Sequence, residues 1–254
     1  MNKKIINVYK PLSLSSLDMI KRFQEKFPEY AQSTMSYAGR LDPMAHGVLI
    51  LLVDEENLKR RDHEKGNKIY EFKILVGFST DTYDILGMID KSSTEKLTEK
   101  QIQEVIPMFT GKIMQSFPPY SAYRIKRRPL YIWASQNKLN EITIPKKERE
   151  ILSLELIKIE QIDKSQLLKE ITERLNNVTG EFRQKVILEQ WHNLLKGQND
   201  TMFQIVTMKS EVSSGTYVRQ LVHDIGEELN LPMCVFEIYR TRSGEYSVED
   251  SLRI

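Results

Sequence analysis

Residues 47–53 read Gly-Val-Leu-Ile-Leu-Leu-Val, and this run limits the fold more than any other. It is far shorter than the ~20 residues a membrane helix needs. It is also unbroken, so it has no wet face of the kind an amphipathic strand or helix shows. A strand covered on both faces satisfies both facts, which places it inside a sheet with other elements packed above and below. Residues 69–76 alternate instead, with Tyr70, Phe72, Ile74 and Val76 on one side and Glu71 and Lys73 on the other, the pattern of a strand with one face on a core. Residues 4–9 read as a short strand ended by Pro11, and residues 151–159, 202–208, 234–240 and 245–248 as further strands.

Helical spacing appears between these strands. Ser15 and Asp18 form a capping-box-like pair ahead of Met19, Ile20, Phe23 and Phe27, and Pro28 stops that helix. Thr98 opens a helix to residue 109 with Ile102, Val105, Ile106 and Phe109 on one face. After Gly215, the residues Val218, Leu221, Val222, Ile225 and Leu229 mark another. Residues 163–197 are polar and helix-prone and read as a helical insertion joining two strands. No repeat, low-complexity tract or linker divides the chain, so residues 1–254 are expected to form one α+β domain.

Composition narrows the function. Hydrophobic residues make up 40% and charged residues 28%, as in soluble globular proteins. Lys3 and Lys4 near the start are not followed by a long apolar stretch, so no secretory signal is expected and the cytoplasm is the expected location. The one cysteine, Cys234, excludes an internal disulfide, fits a reducing compartment, and sits in an apolar run as a core residue. The four histidines and one cysteine show no metal-ligand spacing. His223 and Asp224 are neighbours on a helix and face different directions, and no Gly-x-Ser-x-Gly accompanies them, so they do not read as a hydrolase relay. A net charge of +2 does not announce a nucleic-acid binder. The local run Arg124, Lys126, Arg127 and Arg128 says more: such a run is commonly just solvated surface, but Tyr120, Tyr123 and Tyr131 are interleaved with it. Such a mixture suits phosphate neutralisation beside base stacking.

The chemistry-bearing stretch is Tyr37-Ala38-Gly39-Arg40-Leu41-Asp42-Pro43-Met44-Ala45-His46-Gly47. It places a carboxylate in a turn directly ahead of the buried strand, a loop position fixed by rigid structure. Taken alone, Asp-Pro is a common turn former. The pattern Gly39-x-Leu41-Asp42-Pro43-x-Ala45-x-Gly47 resembles the central motif of the TruB family of RNA pseudouridine synthases, and six further segments resemble that family in order. They are Tyr9-Lys10-Pro11 with Ser15-Ser16; Lys68-Ile69-Tyr70; Thr80-Asp81-Thr82-x-Asp84-x-x-Gly87; Pro118-Pro119-Tyr120-Ser121-Ala122; Ser214-Gly215-Thr216-Tyr217-Val218-Arg219; and the closing segment from Tyr239 to Val248.

This resemblance implies the pseudouridine synthase fold, a central, mostly antiparallel mixed sheet flanked by helices and loops. It also implies isomerisation of uridine in RNA, with the tRNA T-loop uridine as the usual target. The reaction requires no metal or cofactor. By resemblance Asp42 is the essential carboxylate, acting as nucleophile or as stabiliser of positive charge at the sugar. Arg219 is its partner, since a nearby cation keeps a carboxylate ionised where water is excluded. Tyr70 stacks on the flipped base or assists proton transfer. Lys10, Tyr120 and Tyr217 from the same segments, and Arg124 from the basic run, are candidate RNA-binding residues.

Several departures qualify the resemblance. Tyr37 stands where the bacterial family usually has histidine, and Arg40 matches the Gly-Arg-Leu-Asp pattern of other pseudouridine synthase families, where the arginine helps to extrude the base. Arg40 with Tyr37 is therefore expected to fill the space left by the flipped uridine. Arg127 lies where glycine is common. The insertion at 163–197 exceeds what the family usually carries, and the sequence stops at Ile254, so a C-terminal RNA-binding domain of the PUA type is expected to be absent. The expected partner is RNA, most naturally tRNA, bound by a monomer without a membrane. The competing expectation is an RNA-binding or RNA-folding protein descended from such an enzyme, with catalysis lost. A hydrolase using Asp81 and Asp84 as paired carboxylates ranks behind both.

Overall fold

The computed structural model describes residues 4–196 and 201–254. Residues 1–3, where the reading of the N-terminal segment begins, and Gly197, where the expected insertion ends, lie outside them. In chain order the strands and helices are β1 (Ile5–Lys10), α1 (Ser16–Lys26), β2 (Met35–Ala38), β3 (Ala45–Val53), α2 (Arg60–His63), β4 (Lys68–Val76), β5 (Phe78–Thr80), β6 (Ile89–Ser92), α3 (Glu99–Val105), β7 (Gly111–Ser116), β8 (Arg124–Ile125), β9 (Arg128–Pro129), α4 (Leu130–Ser135), β10 (Lys146–Asp163), α5 (Lys164–Asn176), α6 (Gln184–Leu195), β11 (Met202–Val212), α7 (Val218–Glu228), β12 (Met233–Ser243) and β13 (Tyr246–Ser247).

A nine-stranded sheet runs in the order β1-β3-β12-β4-β11-β10-β7, with β2 added to β3 and β13 to β12. Only β3 and β12 pair in parallel, and every other pair in this sheet is antiparallel. This is the mostly antiparallel mixed sheet that the family resemblance implied. β3 is buried on both faces, as its unbroken apolar run requires. Ala45, Leu49, Leu51 and Val53 join the main core, and Val48, Ile50 and Leu52 pack beneath Val248 with Tyr9 and Tyr246 on the other face.

The two amphipathic helices α1 and α7 insert Met19, Ile20 and Phe23, and Leu221, Val222 and Ile225, into that main core. Burying each such large apolar side chain contributes about 1.5–3 kcal/mol. The Ser15 hydroxyl caps α1 by accepting the Asp18 N–H at 3.1 Å. The Asp18 carboxylate, however, accepts the Ser15 hydroxyl rather than its backbone N–H, so the capping box is incomplete. The helix opened by Thr98 is shorter than its pattern, because Pro107 turns residues 106–109 into a 3-10 segment. On the opposite face of the sheet, α5 and α6 bury Leu167, Ile171, Leu175, Ile187 and Trp191 against Leu75 of β4 and Cys234 and Phe236 of β12.

Register then fixes the turn ahead of β3. Gly47 lies opposite Lys10 of β1 and Arg240 of β12. A Cβ on Gly47 would stand 2.2 Å from the Arg240 carbonyl oxygen, and its φ of +106° is open to glycine alone.

Candidate active site

The segment 39–45 is held at nearly every residue. Arg240 is 1% exposed and donates from Nε to the Val48 carbonyl and from Nη2 to the Gly39 carbonyl, both at 2.8 Å. The Ser16 hydroxyl accepts the Leu41 N–H and donates to the Leu41 carbonyl, each at 3.1 Å. Ser13 N–H donates to the Pro43 carbonyl at 2.8 Å, and Ala45 N–H to the Asp42 carbonyl at 3.0 Å. Asp42 therefore projects from a turn tied to β3, β12 and the start of α1, which restricts where its carboxylate can point.

That carboxylate meets Arg219, near the start of α7. Asp42 Oδ2 accepts Arg219 Nε at 2.9 Å and lies 2.8 Å from Nη2. Exposure divides the pair by role, since the Asp42 side chain is 32% exposed and that of Arg219 only 4%. The guanidinium is a buried support and the carboxylate is partly open to solvent. Arg219 spends its remaining donors on two backbone carbonyls, Nη1 on Thr82 at 2.6 Å and Nη2 on Tyr120 at 3.2 Å. A five-donor planar fork fits such a socket where a lysine ammonium would not. Burial opposes its charge, but Asp42 and Asp84 together raise its pKa above the ordinary arginine value.

Asp84 belongs to the family-like segment from Thr80 to Gly87 and is half of the low-ranked hydrolase pair with Asp81. The two side chains go different ways. Asp84 is 4% exposed, lies 3.6 Å from Arg219 Nε, and accepts the Thr82 hydroxyl at 2.8 Å and the Leu86 N–H at 3.0 Å. Burial pushes its pKa up to about 6, with Arg219 pulling against that and Asp42 adding to it. Asp81 pairs instead with Arg183.

The other expected residues are distributed unequally. Lys10 is fully buried, and its Nζ donates to the carbonyls of Pro11 at 3.0 Å and Leu14 at 2.6 Å. Burial lowers its pKa to about 7 against the pull of Asp42. It lines the floor beneath the pair rather than an RNA-facing surface. Tyr217, the residue before α7, brackets Gln115 through two backbone hydrogen bonds. Its hydroxyl pKa is raised by burial and then by the charge of Asp42. Tyr120 contributes its carbonyl to Arg219 and its ring to Arg183. Tyr70 is 8% exposed on β4, opposite Ser210 and Arg240, and belongs to the main core. Tyr37 on β2 lies under the Arg60 guanidinium at 5.2 Å, and Arg40 is exposed two residues before Asp42. Arg124 is exposed on the β8–β9 hairpin, where it bonds the Arg127 carbonyl, and is not brought to the pair by any contact. Arg127, at the glycine-favoured position, adopts φ 65°. His223 stacks on Tyr83 with centroids 3.9 Å apart, while Asp224 bonds Gln220, so these neighbours share no relay.

The TruB family pseudouridylate synthase N-terminal domain matches residues 29–173, a span that includes Asp42, Tyr70, Asp84 and Tyr120. Over 248 residues the chain is 31% identical to "tRNA pseudouridine synthase B" of Caldanaerobacter subterraneus subsp. tengcongensis, covering 97% of this chain and 71% of that one. The chain belongs to the TruB family of pseudouridylate synthases. The protein of the same name from Thermotoga petrophila is 28% identical over 254 residues, which are 67% of its length. Among solved structures, the Cbf5-Nop10-Gar1 complex superposes with a TM-score of 0.61 at 20% identity, over 98% of this chain and 52% of the other. An H/ACA RNP bound to a substrate RNA containing 2'-deoxyuridine superposes with a TM-score of 0.58 at 18% identity, again over about half of that chain. These likenesses establish that the sheet and its flanking helices form the pseudouridine synthase fold. In this TruB-family chain, Arg240 was legible only as part of the closing segment. Its role as the anchor of the Asp42 turn appears when β12 is laid beside β3.

Proposed function

We propose that this protein isomerises uridine to pseudouridine in RNA, with the T-loop uridine of tRNA as its substrate. One observation carries the reading: a partly open carboxylate, Asp42, held by a buried guanidinium, Arg219, on a turn fixed from three sides. The names of the relatives, tRNA pseudouridine synthase B, support the choice of RNA. In the reaction the bond from ribose C1′ to N1 breaks, the base rotates, and a bond from C1′ to C5 forms. C5 then loses its proton and N1 gains one.

Asp42 serves at C1′, as nucleophile or as stabiliser of the positive charge that develops there. Arg219 needs little reorganisation as that charge appears, because two carbonyls already fix its plane. Tyr70 serves the base, by stacking or by proton transfer, and Tyr217 contributes to binding the RNA. Arg40 with Tyr37 enters the space that the uridine leaves, and Tyr120 and Arg124 extend toward the backbone. Among the described residues no group of three or more His, Cys, Asp or Glu side chains is placed to hold a metal ion, and no helix is long and apolar enough to cross a membrane. We take the working form to be a cytoplasmic monomer.

Tritium release from C5-labelled uridine in an unmodified tRNA transcript tests the proposal, comparing wild type with Asp42→Asn. Release by wild type alone, with both proteins binding the RNA, is expected. Release by both would remove Asp42 from its role. Tight binding without release by wild type on any RNA would favour the reading in which catalysis has been lost.

A further inference from the structure

Helices α5 and α6, which connect β10 to β11, do more than cover the sheet, because they and the turn between them touch the segments that hold both partners of the Asp42–Arg219 pair. On one side the Thr179 hydroxyl donates to the Asp18 carboxylate at 2.6 Å, Thr179 N–H donates to the Ser13 carbonyl at 3.4 Å, and the Ser13 hydroxyl donates to the Arg174 carbonyl at 3.0 Å. Ser13 is the residue whose N–H holds Pro43, next to Asp42. On the other side Arg183 donates from Nη1 and Nη2 to the two oxygens of Asp81 at 2.8 and 3.1 Å. The same guanidinium lies 4.9 Å over the ring of Tyr120.

Asp81 immediately precedes Thr82, and the carbonyls of Thr82 and Tyr120 are the two acceptors that orient Arg219. Arg183 thus joins the two segments that form the Arg219 socket, which lie 38 residues apart in sequence (120 − 82). It does so from a left-handed backbone, φ 64°, a conformation that non-glycine residues hold only where their surroundings enforce it. An ion pair as open as this one, 38% and 30% exposed, contributes little to folding stability. Its planar fork and ring contact instead fix a geometry.

We propose that Arg183, delivered by the α5–α6 turn, is a positioning residue for the uridine isomerisation, fixing the two carbonyls that orient Arg219 and, through Arg219, the Asp42 carboxylate. The inference rests on the reaction proposed above. It makes the helical segment between β10 and β11 part of the catalytic apparatus.

The test compares wild type, Arg183→Ala, Arg183→Lys and Val186→Ala in single-turnover pseudouridine formation at saturating RNA, with the RNA Kd measured separately. Val186 is exposed on α6 and serves as the control. Arg183→Ala is expected to lower the saturating rate about 10-fold or more, since misplacement by an ångström costs on this scale, with Kd unchanged. Arg183→Lys, which keeps the charge but not the fork, falls between, and it carries the test if the alanine variant does not fold. A wild-type rate in both variants, or a loss of affinity alone, overturns the proposal. A second readout needs no RNA: the Nε–Hε resonance of Arg219 in the free protein is expected to shift or broaden in Arg183→Ala and to stay in place in Val186→Ala. An unmoved Arg219 resonance would overturn the brace even if wild type made no pseudouridine, an outcome that by itself counts only against the reaction.

Discussion

Asp84 makes the protein's stability depend on pH in a way that can be isolated with one substitution. The carboxyl is fully buried behind Arg219, and its pKa stands at about 6 against an ordinary 3.8. The folded protein therefore holds this proton more tightly than the unfolded chain does. Stability from this group is present below pH 3.8 and is lost as pH rises through about 6, the opposite of a carboxylate whose pKa is depressed. Two pKa units at 1.36 kcal/mol each make the loss about 3 kcal/mol across that window. Asp84→Asn keeps an oxygen for the Thr82 hydroxyl and the Leu86 N–H but has no proton to exchange. Urea unfolding of both proteins at pH 4, 5, 6 and 7 gives the difference directly, because groups common to both, including Glu237 with its pKa near 2, cancel. The variant's stability relative to wild type is expected to climb by about 2.5 kcal/mol from pH 4 to pH 7, most of the full change, and then level off. A difference that stays flat across the range would show that Asp84 is ionised throughout, and the burial argument for it would be wrong.

Three further perturbations follow from the same geometry. Gly47→Ala places a Cβ against the backbone of Arg240 at a φ of +106°, and an unfolding free energy lower by more than about 3 kcal/mol is expected in the same urea assay. Arg240→Lys retains the charge but cannot reach both the Val48 and Gly39 carbonyls. It should cost roughly 2–4 kcal/mol, as breaking a buried hydrogen-bonded charge does, and it should lower the rate of pseudouridine formation because the Asp42 turn loses its anchor. Arg40→Ala leaves the Asp42–Arg219 pair intact and is expected to reduce turnover on folded tRNA more than on a short unstructured RNA, since only the former requires the base to be extruded; equal effects on the two substrates would remove Arg40 from that role.

What the sequence discloses here depends on distance along the chain. Local patterns disclosed the elements: the seven-residue apolar run became the doubly buried β3, the alternation at 69–76 became β4, and the periodic residues after Gly215 became α7. β2, β5, β6 and β7 have three to six residues each, too short for a period to stand out from a loop. Long-range facts came from resemblance or not at all. Asp42 and Arg219 are 177 residues apart, and no spacing rule links them; the order of family motifs did. The pairing of Asp81 with Asp84, ranked last because it rests on spacing alone, does not form: the turn at Tyr83, φ 66°, sends one toward Arg219 and the other toward Arg183. Arg183 carried no signal in its polar, helix-prone surroundings.

The residues that hold this site together are mostly buried and charged, which is an expensive way to build a core. Lys10, Asp84, Arg219 and Arg240 are all under 5% exposed, and each ends on backbone carbonyls, a hydroxyl or another of the charges. An apolar set of equal volume would fold at least as well. It would not, however, hold Asp42 in one orientation, because apolar contacts are non-directional and guanidinium forks are not. The arrangement is what a reaction with a single working carboxylate calls for: the orienting charges are buried and fixed in advance, and the one left partly open is Asp42.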